Sequence, residues 1–353
     1  MKARVLFYAG LLVLCFLSGG CASFIAKQVM NPGLKRIESD LHKVLTSKQV
    51  CSDNNRCIQV TSFAADDPKN DFIKAKNLSL SFKLNTTDTQ KVWKFKNNKT
   101  EPLHTQVLQD DIIVVLPGYM LDPKLLTFKA LWLQRITGAQ VFVAPNPDAE
   151  DSFSFGLNYV EPLKALIEKR NARRTHIVGV SMGAVAATEL STQVNNATLH
   201  LIAPMINFDY SLNALYWLYS ANRLIRLFVS QDDIDNAAEI VLKRSGITRN
   251  DLDIMHKLNI AKPMPIFMYA SMSDDVVNAA QIYNDKLFNR DDVSLNVYYH
   301  LEHEELVALF DEELLADYVS HITNTSVHPS EKKLVGGLCP VNDNACVDAL
   351  ENM

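Results

Sequence analysis

A five-residue motif in the middle of the chain could make a serine nucleophilic. Residues 179–183 read Gly-Val-Ser-Met-Gly, which is a G-x-S-x-G pattern. Such a pattern places the serine on a sharp turn between a strand and a helix, where the residues two positions away must lack bulk. An apolar strand pattern precedes the motif, and small residues that suit a closely packed helix follow it. The pattern predicts that Ser181 attacks a carbonyl carbon; an ordinary strand-to-helix turn is the alternative interpretation.

A serine hydroxyl is a weak nucleophile at neutral pH, so it needs a base, and the base needs a group that orients it. Asp274 and Asp275 follow one apolar strand pattern, and His300 and His303 follow the next. Either aspartate could instead cap the helix after it. His300, at the end of its strand pattern, is typical of a packing histidine. The two histidines also form an H-x-x-H pair, but no further ligand cluster supports a metal site.

The chain order of serine, acid and histidine resembles that of the α/β-hydrolase superfamily. In that family the acid turn is a carboxylate, any residue and two aliphatic residues, which selects Asp274 and leaves Asp275 as the spare. The family's histidine lies between the last strand and the final helix, which selects His303 rather than His300. The resemblance therefore implies that Ser181 acts with these two residues as a catalytic triad. It implies no metal and no cofactor.

A turn earlier in the chain is similar to the family's oxyanion turn. Residues 116–119 read Leu-Pro-Gly-Tyr, with Pro117 where a histidine is usual. Backbone N–H groups stabilise the charge in such a hole, so this exchange is tolerable. By position, the N–H groups of Tyr119 and Met182 would face the developing oxyanion. For Tyr119, a plain turn at the end of a strand is the alternative.

Apolar runs alternate with helical patterns from residue 112 onward. The first run, Ile112–Leu116, is continuous, as is typical of a strand covered on both faces. Upstream of it, period-two patterns indicate antiparallel strands with one wet face. The alternation predicts a mostly parallel sheet with helices on both faces and an active site at the carboxyl ends of its strands. Together with the family resemblance, which covers roughly residues 78–322, this predicts an α/β-hydrolase fold.

The predicted organisation has four segments. Residues 1–20 form a signal peptide, 21–77 an N-terminal anchor and linker, 78–324 the hydrolase domain and 325–353 a polar C-terminal tail. At about 207–262 an aromatic and aliphatic stretch and a more polar helix interrupt the alternation. We interpret this insertion as a helical cap over the top edge of the sheet; a packing cluster without a role in substrate binding is the alternative.

The N-terminus resembles a bacterial lipoprotein signal. Lys2 and Arg4 precede an apolar core that is short for a membrane span, and small residues precede Cys21. In the lipoprotein pattern this cysteine is acylated, although Ser18 stands where leucine is usual. Plain secretion and an uncleaved anchor are the alternatives. Ala22 favours the outer membrane over inner-membrane retention, so we expect a periplasm-facing outer-membrane lipoprotein or a secreted protein.

Four further cysteines remain after export: Cys51, Cys57, Cys339 and Cys346. An oxidising compartment permits disulfides between them. The local pairs 51–57 and 339–346 would each close a short polar loop, and a cross-pairing would tie the N-terminal segment to the tail. Four free thiols are the remaining alternative. The spacing includes no CxxC, which argues against zinc.

Composition suits an ordinary globular protein and argues against nucleic acid. The 353 residues are 48% hydrophobic, carry a formal net charge of -5 and include no arginine-rich run. The family's common reactions are hydrolysis of esters, thioesters and amides, and the apolar insertion favours a lipid-like acyl group. We therefore predict a lipase- or esterase-like serine hydrolase. A cell-envelope peptidase or thioesterase on the same triad and a non-catalytic binding lipoprotein are the alternatives. The sequence leaves the oligomeric state open.

Overall fold

The computed structural model describes most of the region between residues 108 and 324 and several shorter segments. The described ranges are 20–32, 46–63, 79–85, 90–96, 108–121, 138–147, 152–219, 229–309, 311–324 and 337–340, with the single positions 126, 129, 130, 133, 134 and 137. Residues 1–19 of the predicted signal peptide and Cys346 lie outside the described residues.

The strands form two sheets. In chain order they are β1 (Thr46–Cys51), β2 (Cys57–Phe63), β3 (Ser79–Asn85), β4 (Gln90–Lys96), β5 (Ile112–Leu116), β6 (Gln140–Val143), β7 (Thr175–Val180), β8 (Ala197–Ile202), β9 (Ile266–Ser271), β10 (Val293–Tyr298) and β11 (Gly337–Pro340). The main sheet has eight strands in the order β1-β2-β6-β5-β7-β8-β9-β10. The first two pairings in that order are antiparallel and all the others are parallel. The predicted mostly parallel sheet with antiparallel N-terminal strands is confirmed.

The continuous apolar run of β5 is buried on both faces of the main sheet. Ile112, Val114 and Leu116 pack into the core on one face. Ile113 and Val115 pack into the core on the other. Successive side chains of a strand point to opposite faces, and each fully buried aliphatic side chain contributes about 1.5–3 kcal/mol. Two cores therefore hold the strand from which the predicted oxyanion turn departs.

Helices cover both faces of the sheet, as predicted. They are α1 (Cys21–Met30), α2 (Val160–Arg170), α3 (Gly183–Gln193), α4 (Phe208–Tyr219), α5 (Gln231–Ser245), α6 (Arg249–Leu252), α7 (Ile254–Ile260), α8 (Ala279–Tyr283), α9 (His303–Ala308) and α10 (Glu312–Thr323). The helices α1 to α8 contribute to the core on the Ile112 face. The other core takes α9, α10 and helical residues between 126 and 133. Within the described part of the chain, no helix combines the length and apolarity that crossing a membrane requires.

Among the described residues, the insertion predicted at about 207–262 contains α4 to α7, between β8 and β9. Its first helix lies at the carboxyl-end edge of the sheet, where the Ser211 hydroxyl donates a hydrogen bond to the Val276 carbonyl over 2.9 Å. Its last helix lies lower, against α3, where Lys257 Nζ is 2.6 Å from Glu189 Oε2. The inserted helices therefore extend from the top edge down one face, instead of resting only over that edge.

The N-terminal strands β1 and β2 belong to the main sheet, although they lie inside the 21–77 stretch predicted as anchor and linker. A disulfide between Cys51 and Cys57 joins the two strands at their turn, with the Cα atoms 4.0 Å apart. Ile58 and Val60 are buried in the core. Of the cysteine pairings left open by the sequence, the structure thus contains the local 51–57 pair, whereas the pairing of Cys346 lies outside the described residues.

A second, smaller sheet has the order β11-β4-β3, and both of its pairings are antiparallel. The strand β11 of this sheet comes from residues 337–340, within the predicted C-terminal tail. The tail therefore pairs with β4, which the sequence placed in the hydrolase domain.

Candidate active site

Ser181 lies on a sharp turn between β7 and α3. Its φ is 49°, in the left-handed region that residues with a side chain rarely occupy. The turn is held by backbone hydrogen bonds, because the Ser181 N–H donates to the Ile202 carbonyl over 2.9 Å. The strained backbone and the fixed turn place the hydroxyl at the carboxyl-end edge of the sheet.

The two motif glycines are required by close backbone approach. A Cβ on Gly179 would lie 2.6 Å from Ala187 Cβ and 2.7 Å from Ala184 Cα. A Cβ on Gly183 would lie 2.3 Å from the Leu116 carbonyl oxygen. All three distances are too short for non-bonded contacts between packed atoms. Glycine at these positions lets α3 pack directly under the strand and beside the turn that follows β5.

His303 lies between the serine and an aspartate. Its Nε2 is 3.1 Å from Ser181 Oγ, and its Nδ1 is 2.8 Å from Asp274 Oδ2. The three residues are far apart in the chain, and the carboxyl ends of β7, β9 and β10 bring them together. The side chain of His303 is 11% exposed and that of Asp274 is 1% exposed. The structure thus aligns hydroxyl, imidazole and carboxylate in one hydrogen-bonded row.

The Asp274 carboxylate is fixed by its own turn. Its Oδ1 accepts hydrogen bonds from the backbone N–H groups of Val276 and Val277, each over 2.8 Å. Its Oδ2 remains directed at the His303 ring. Asp275, the spare candidate, is exposed. The two aliphatic residues of the acid turn thus contribute through their backbone as well as through burial of their side chains.

Two opposing effects act on the pKa of His303. Burial lowers the pKa, because it disfavours the charged ring. The negative charge of Asp274 and its hydrogen bond to Nδ1 raise the pKa, and the net result lies above the ordinary value of 6.5. The site therefore stabilises an imidazolium ion, which is the form that a base becomes after it takes a proton from the serine.

The position of His303 depends on a capping box that the sequence reasoning missed. His303 is the first residue of α9, and Glu302 is the N-cap. The buried Glu305 carboxylate accepts a hydrogen bond from the Glu302 N–H over 3.1 Å. The spacing of an N-cap residue and a glutamate three positions later is the sequence signal that would have revealed it.

His300, the other candidate histidine, does not reach the serine. The strand β10 ends at Tyr298, so His300 lies in the following loop and not in the strand, and its side chain is 58% exposed. Its Nε2 is 3.4 Å from Asp311 Oδ2. The H-x-x-H interpretation is not supported, because both ring nitrogens of His303 are already within hydrogen-bond distance of Ser181 and Asp274.

The turn after β5 lies directly against the serine. A Cβ on Gly118 would be 3.1 Å from Ser181 Cβ and 3.2 Å from the Val180 carbonyl oxygen. The backbone at 118–119 is therefore beside the hydroxyl. Met182, the next residue after the serine, is the N-cap of α3, an eleven-residue helix. The helix N-terminus favours negative charge near this position.

A second backbone connection at the serine was also missed. The Ser181 carbonyl accepts a hydrogen bond from the Met205 N–H over 3.1 Å, so the loop after β8 supports the turn from below. In that loop Ala203 has a φ of 45°. A left-handed alanine inside an apolar run has no signal in the sequence, because glycine, asparagine and aspartate are the residues that mark this conformation.

Comparisons with known proteins give one kind of match. No family model matches the sequence, and no curated protein matches it. Two crystal structures of the Pyrococcus furiosus esterase Pf2001 are similar to this chain. The form in space group C2221 has a TM-score of 0.51 and 12% identity, covering 83% of this chain and 95% of the esterase. The form in space group P21 has a TM-score of 0.51 and 15% identity, covering 83% and 97%.

At such identity the likeness bears on architecture alone. It agrees with the strand order, the parallel pairings and the helices on both faces of the main sheet. The chain has the α/β-hydrolase fold.

Proposed function

We propose that this protein is a serine hydrolase that cleaves carboxylic esters. The observation that carries the proposal is the row of Ser181, His303 and Asp274, with its hydrogen-bond distances of 3.1 and 2.8 Å. The strained backbone of the serine supports it, since such strain persists where the surrounding structure imposes it and is common at active sites.

The chemistry follows from the geometry. His303 Nε2 removes the Ser181 proton while Oγ forms a bond to the substrate carbonyl carbon. The carbonyl π electrons move to oxygen, and the N–H groups of Tyr119 and Met182 stabilise that oxyanion. The tetrahedral intermediate expels the alkoxide, which takes the proton from His303. Water, deprotonated by the same imidazole, then attacks the acyl-enzyme and releases the acid and free Ser181.

Asp274 acts through the histidine and not on the substrate. Its Oδ2 accepts the hydrogen bond from His303 Nδ1–H, so Nε2 is the nitrogen that carries the lone pair. Because the backbone fixes the other carboxylate oxygen, the aspartate cannot rotate away from the ring. Proton transfer from Ser181 then places the positive charge beside a negative one.

A fluorophosphonate probe tests the proposal directly, because it reacts with an activated serine without the need for a known substrate. We expect labelling of the folded protein and its complete loss in Ser181→Ala. Ser273→Ala is the matched control, since Ser273 is another serine at the same edge, bound to the Tyr299 carbonyl. Labelling that survives in Ser181→Ala, or that never occurs, would overturn the proposal and favour a binding protein on the same fold.

The ester preference needs its own experiment, because the same three residues could cleave amides or thioesters. The apolar helix α4 starts beside the acid turn, where Ser211 contacts Val276. We therefore expect p-nitrophenyl esters of medium or long acyl chains to be cleaved faster than aminoacyl anilides and acyl thioesters. Faster cleavage of the anilides would identify a peptidase instead, and faster cleavage of the thioesters a thioesterase.

We also propose that Cys21 carries a lipid anchor in the cell envelope. The lipobox-like sequence before it supports this proposal, as does the Cys51–Cys57 disulfide, which is typical of exported proteins. Mass spectrometry of the N-terminal peptide, with Cys21→Ser as the control, is the test. An unmodified cysteine behind an intact or differently cleaved leader would contradict it.

A further inference from the structure

Exposed apolar side chains are concentrated at the edge of the sheet that carries the candidate site. Among the described residues, six large apolar side chains are exposed. Four of them follow the carboxyl ends of strands, and we name this set the apolar rim: Met120 after β5, Tyr210 after β8, Met272 after β9 and Tyr299 after β10. An exposed apolar patch of this kind marks a surface that binds a protein, a ligand or a membrane.

The residues of the apolar rim lie in or next to the loops of the site. Met120 follows Tyr119 of the oxyanion turn, and Met272 lies two residues before Asp274. The Met272 N–H donates to the Tyr298 carbonyl over 2.8 Å, and the Ser273 hydroxyl donates to the Tyr299 carbonyl over 2.7 Å. Neighbouring strands are about 4.8 Å apart, so the four spacings from β5 to β10 extend over about 19 Å.

The residue proposed to carry lipid lies on a helix that contacts this edge. Cys21 is the first residue of α1, and the next residue, Ala22, is already buried in the core. The Tyr119 hydroxyl donates a hydrogen bond to the Gln28 carbonyl of the same helix over 3.3 Å. Gln28 lies seven positions after Cys21, which corresponds to about 10 Å along the helix axis. The lipid attachment point is therefore joined to the oxyanion turn by one packed helix and no flexible linker.

We propose that the apolar rim docks on the membrane into which acylated Cys21 inserts, so that the mouth of the site faces the lipid. The inference rests on the proposed acylation of Cys21. Tyrosine and methionine suit this role, because tyrosine places an apolar ring and a polar hydroxyl at the water–lipid boundary. Asp275 in the acid turn and Glu304 in the first turn of α9 lie at the same edge and would repel an anionic surface. The surface is therefore zwitterionic lipid, and the substrate class is an acyl ester held in that bilayer.

Fluorescence quenching by brominated lipid tests the docking without any need for catalysis. The acylated full-length protein is reconstituted in phosphatidylcholine vesicles as Tyr299→Trp, and the emission of the three native tryptophans is subtracted with the unchanged protein. Tyr283→Trp is the matched control, because Tyr283 is also exposed but ends α8 on the way back to the opposite edge. We expect brominated chains to quench the tryptophan at 299 and not the one at 283.

Equal quenching at both positions, or none at 299, would overturn the proposal, and so would an unacylated Cys21. A second measurement links the surface to the reaction. In Met272→Ser/Tyr299→Ser, hydrolysis of an ester embedded in vesicles should fall about tenfold, equivalent to about 1.4 kcal/mol. Hydrolysis of a short soluble ester should not change, and Tyr283→Ser should change neither. If the docking proposal is right, quenching persists in Ser181→Ala. Failure of the docking proposal can therefore be told apart from failure of the proposed hydrolase activity.

Discussion

The main sheet carries a second aspartate–histidine group, whose side-chain contacts differ from those of Asp274 and His303. The second group, which we name the buried histidine cluster, consists of Asp111, His176, His200 and His321. His176 Nε2 is 3.6 Å from Asp111 Oδ2, which is longer than a hydrogen bond. The His200 ring stacks on Phe267 with centroids 5.2 Å apart, and Phe267 stacks on His321 at 4.5 Å.

The two groups differ in whether the nitrogens of their histidine rings have hydrogen-bond partners. In the site, both nitrogens of His303 face polar partners. In the buried histidine cluster, neither ring nitrogen of His200 has a hydrogen-bond partner among the described residues. Burial, together with the nearby rings of His176 and His321, holds the pKa of His200 well below its usual value. The same residue type thus lies between two polar partners in one place and stacks on an aromatic ring in the other.

The difference shows that partners and place decide the role, not residue type. The site lies at the carboxyl ends of the strands, where loops can approach a substrate. Asp111 lies just before β5, where it binds Arg173 at 2.9 and 3.2 Å. Burial raises the pKa of Asp111, but the nearby His176 ring and the Arg173 guanidinium lower it by more, so the net pKa lies below its usual range. Asp111 therefore neutralises a cation at the opposite edge, while Asp274 is directed at an imidazole.

The largest expected effect is on kcat/KM, when one histidine of each group is replaced. We expect His303→Ala to lower kcat/KM for a short ester on the order of 10⁴-fold, because the serine loses its base. His200→Phe should leave kcat/KM close to that of the unchanged protein, since its ring packs against the rings of Phe267, Tyr318 and His176, none of which belongs to the proposed triad. Steady-state kinetics, with circular dichroism to verify folding, provides the measurement. Comparable losses in both variants would erase the distinction.

The aspartates give the next contrast. Asp274→Asn should lower kcat on the order of 10³–10⁴-fold while the protein stays folded, because an amide donating to Nδ1 favours the wrong tautomer of His303. Asp111→Asn should leave kcat intact and lower the free energy of unfolding by about 1–3 kcal/mol, because a buried charged hydrogen bond is lost. Urea unfolding and kinetics on both variants test this crossing pattern, which a catalytic defect in Asp111→Asn would contradict.

The pH profile of catalysis gives a smaller effect. Burial lowers the pKa of His303, but the charges of Asp274 and Glu304 and the hydrogen bond to Asp274 together raise it above 6.5. The ring therefore becomes protonated at a pH above 6.5 as acid is added. A protonated ring cannot accept the serine proton, so kcat/KM should fall about tenfold per pH unit below that pKa. We expect the midpoint of the acid limb above 6.5. A midpoint below 6.5, measured with a substrate that does not titrate, would mean that burial dominates.

Much of the fold was predictable because it depends on local patterns. The run at 112–116 is apolar at every position, which identifies a strand covered twice, and Gly179 and Gly183 mark the turn around the serine. The choice of Asp274 and His303 over their neighbours came from the family's acid turn and from the position of its histidine before the final helix, not from these patterns. Their roles stay predictions, although the structure brings both within hydrogen-bond distance of the proposed partners.

The sequence could not reveal features that depend on long-range pairing. Antiparallel N-terminal strands were predicted, but residues 46–63 fall in the stretch assigned to an anchor and linker. Only the pairing of β2 with β6 shows that the hairpin of β1 and β2 extends the main sheet. The buried histidine cluster was missed because histidine in a strand has no pattern that separates a stacked ring from a solvated one. Its histidines come from β7, β8 and α10, and Asp111 lies just before β5, so tertiary packing alone places them together.

The smallest expected effect concerns stability and has opposite signs in the two groups. The pKa of His200 is lower in the folded than in the unfolded protein, so the unfolded state binds the extra proton as pH falls below about 6.5. His200 therefore destabilises the folded protein in acid, by at most about 2 kcal/mol between pH 6.5 and pH 5. His303 has a raised pKa, so its contribution is fully present below pH 6.5 and is lost as pH rises through its folded pKa.

Urea unfolding at pH 5 and pH 8 distinguishes these signs. Relative to the unchanged protein, His200→Phe should lose less stability on going from pH 8 to pH 5, because an apolar ring takes up no proton in either state. His303→Ala should lose more stability over the same change, because it lacks the group that favours the folded state in acid. If both variants shifted in the same direction, burial and nearby charges would act alike on the pKa values of the two histidines, and the contrast between a ring with hydrogen-bond partners and a stacked ring would be contradicted.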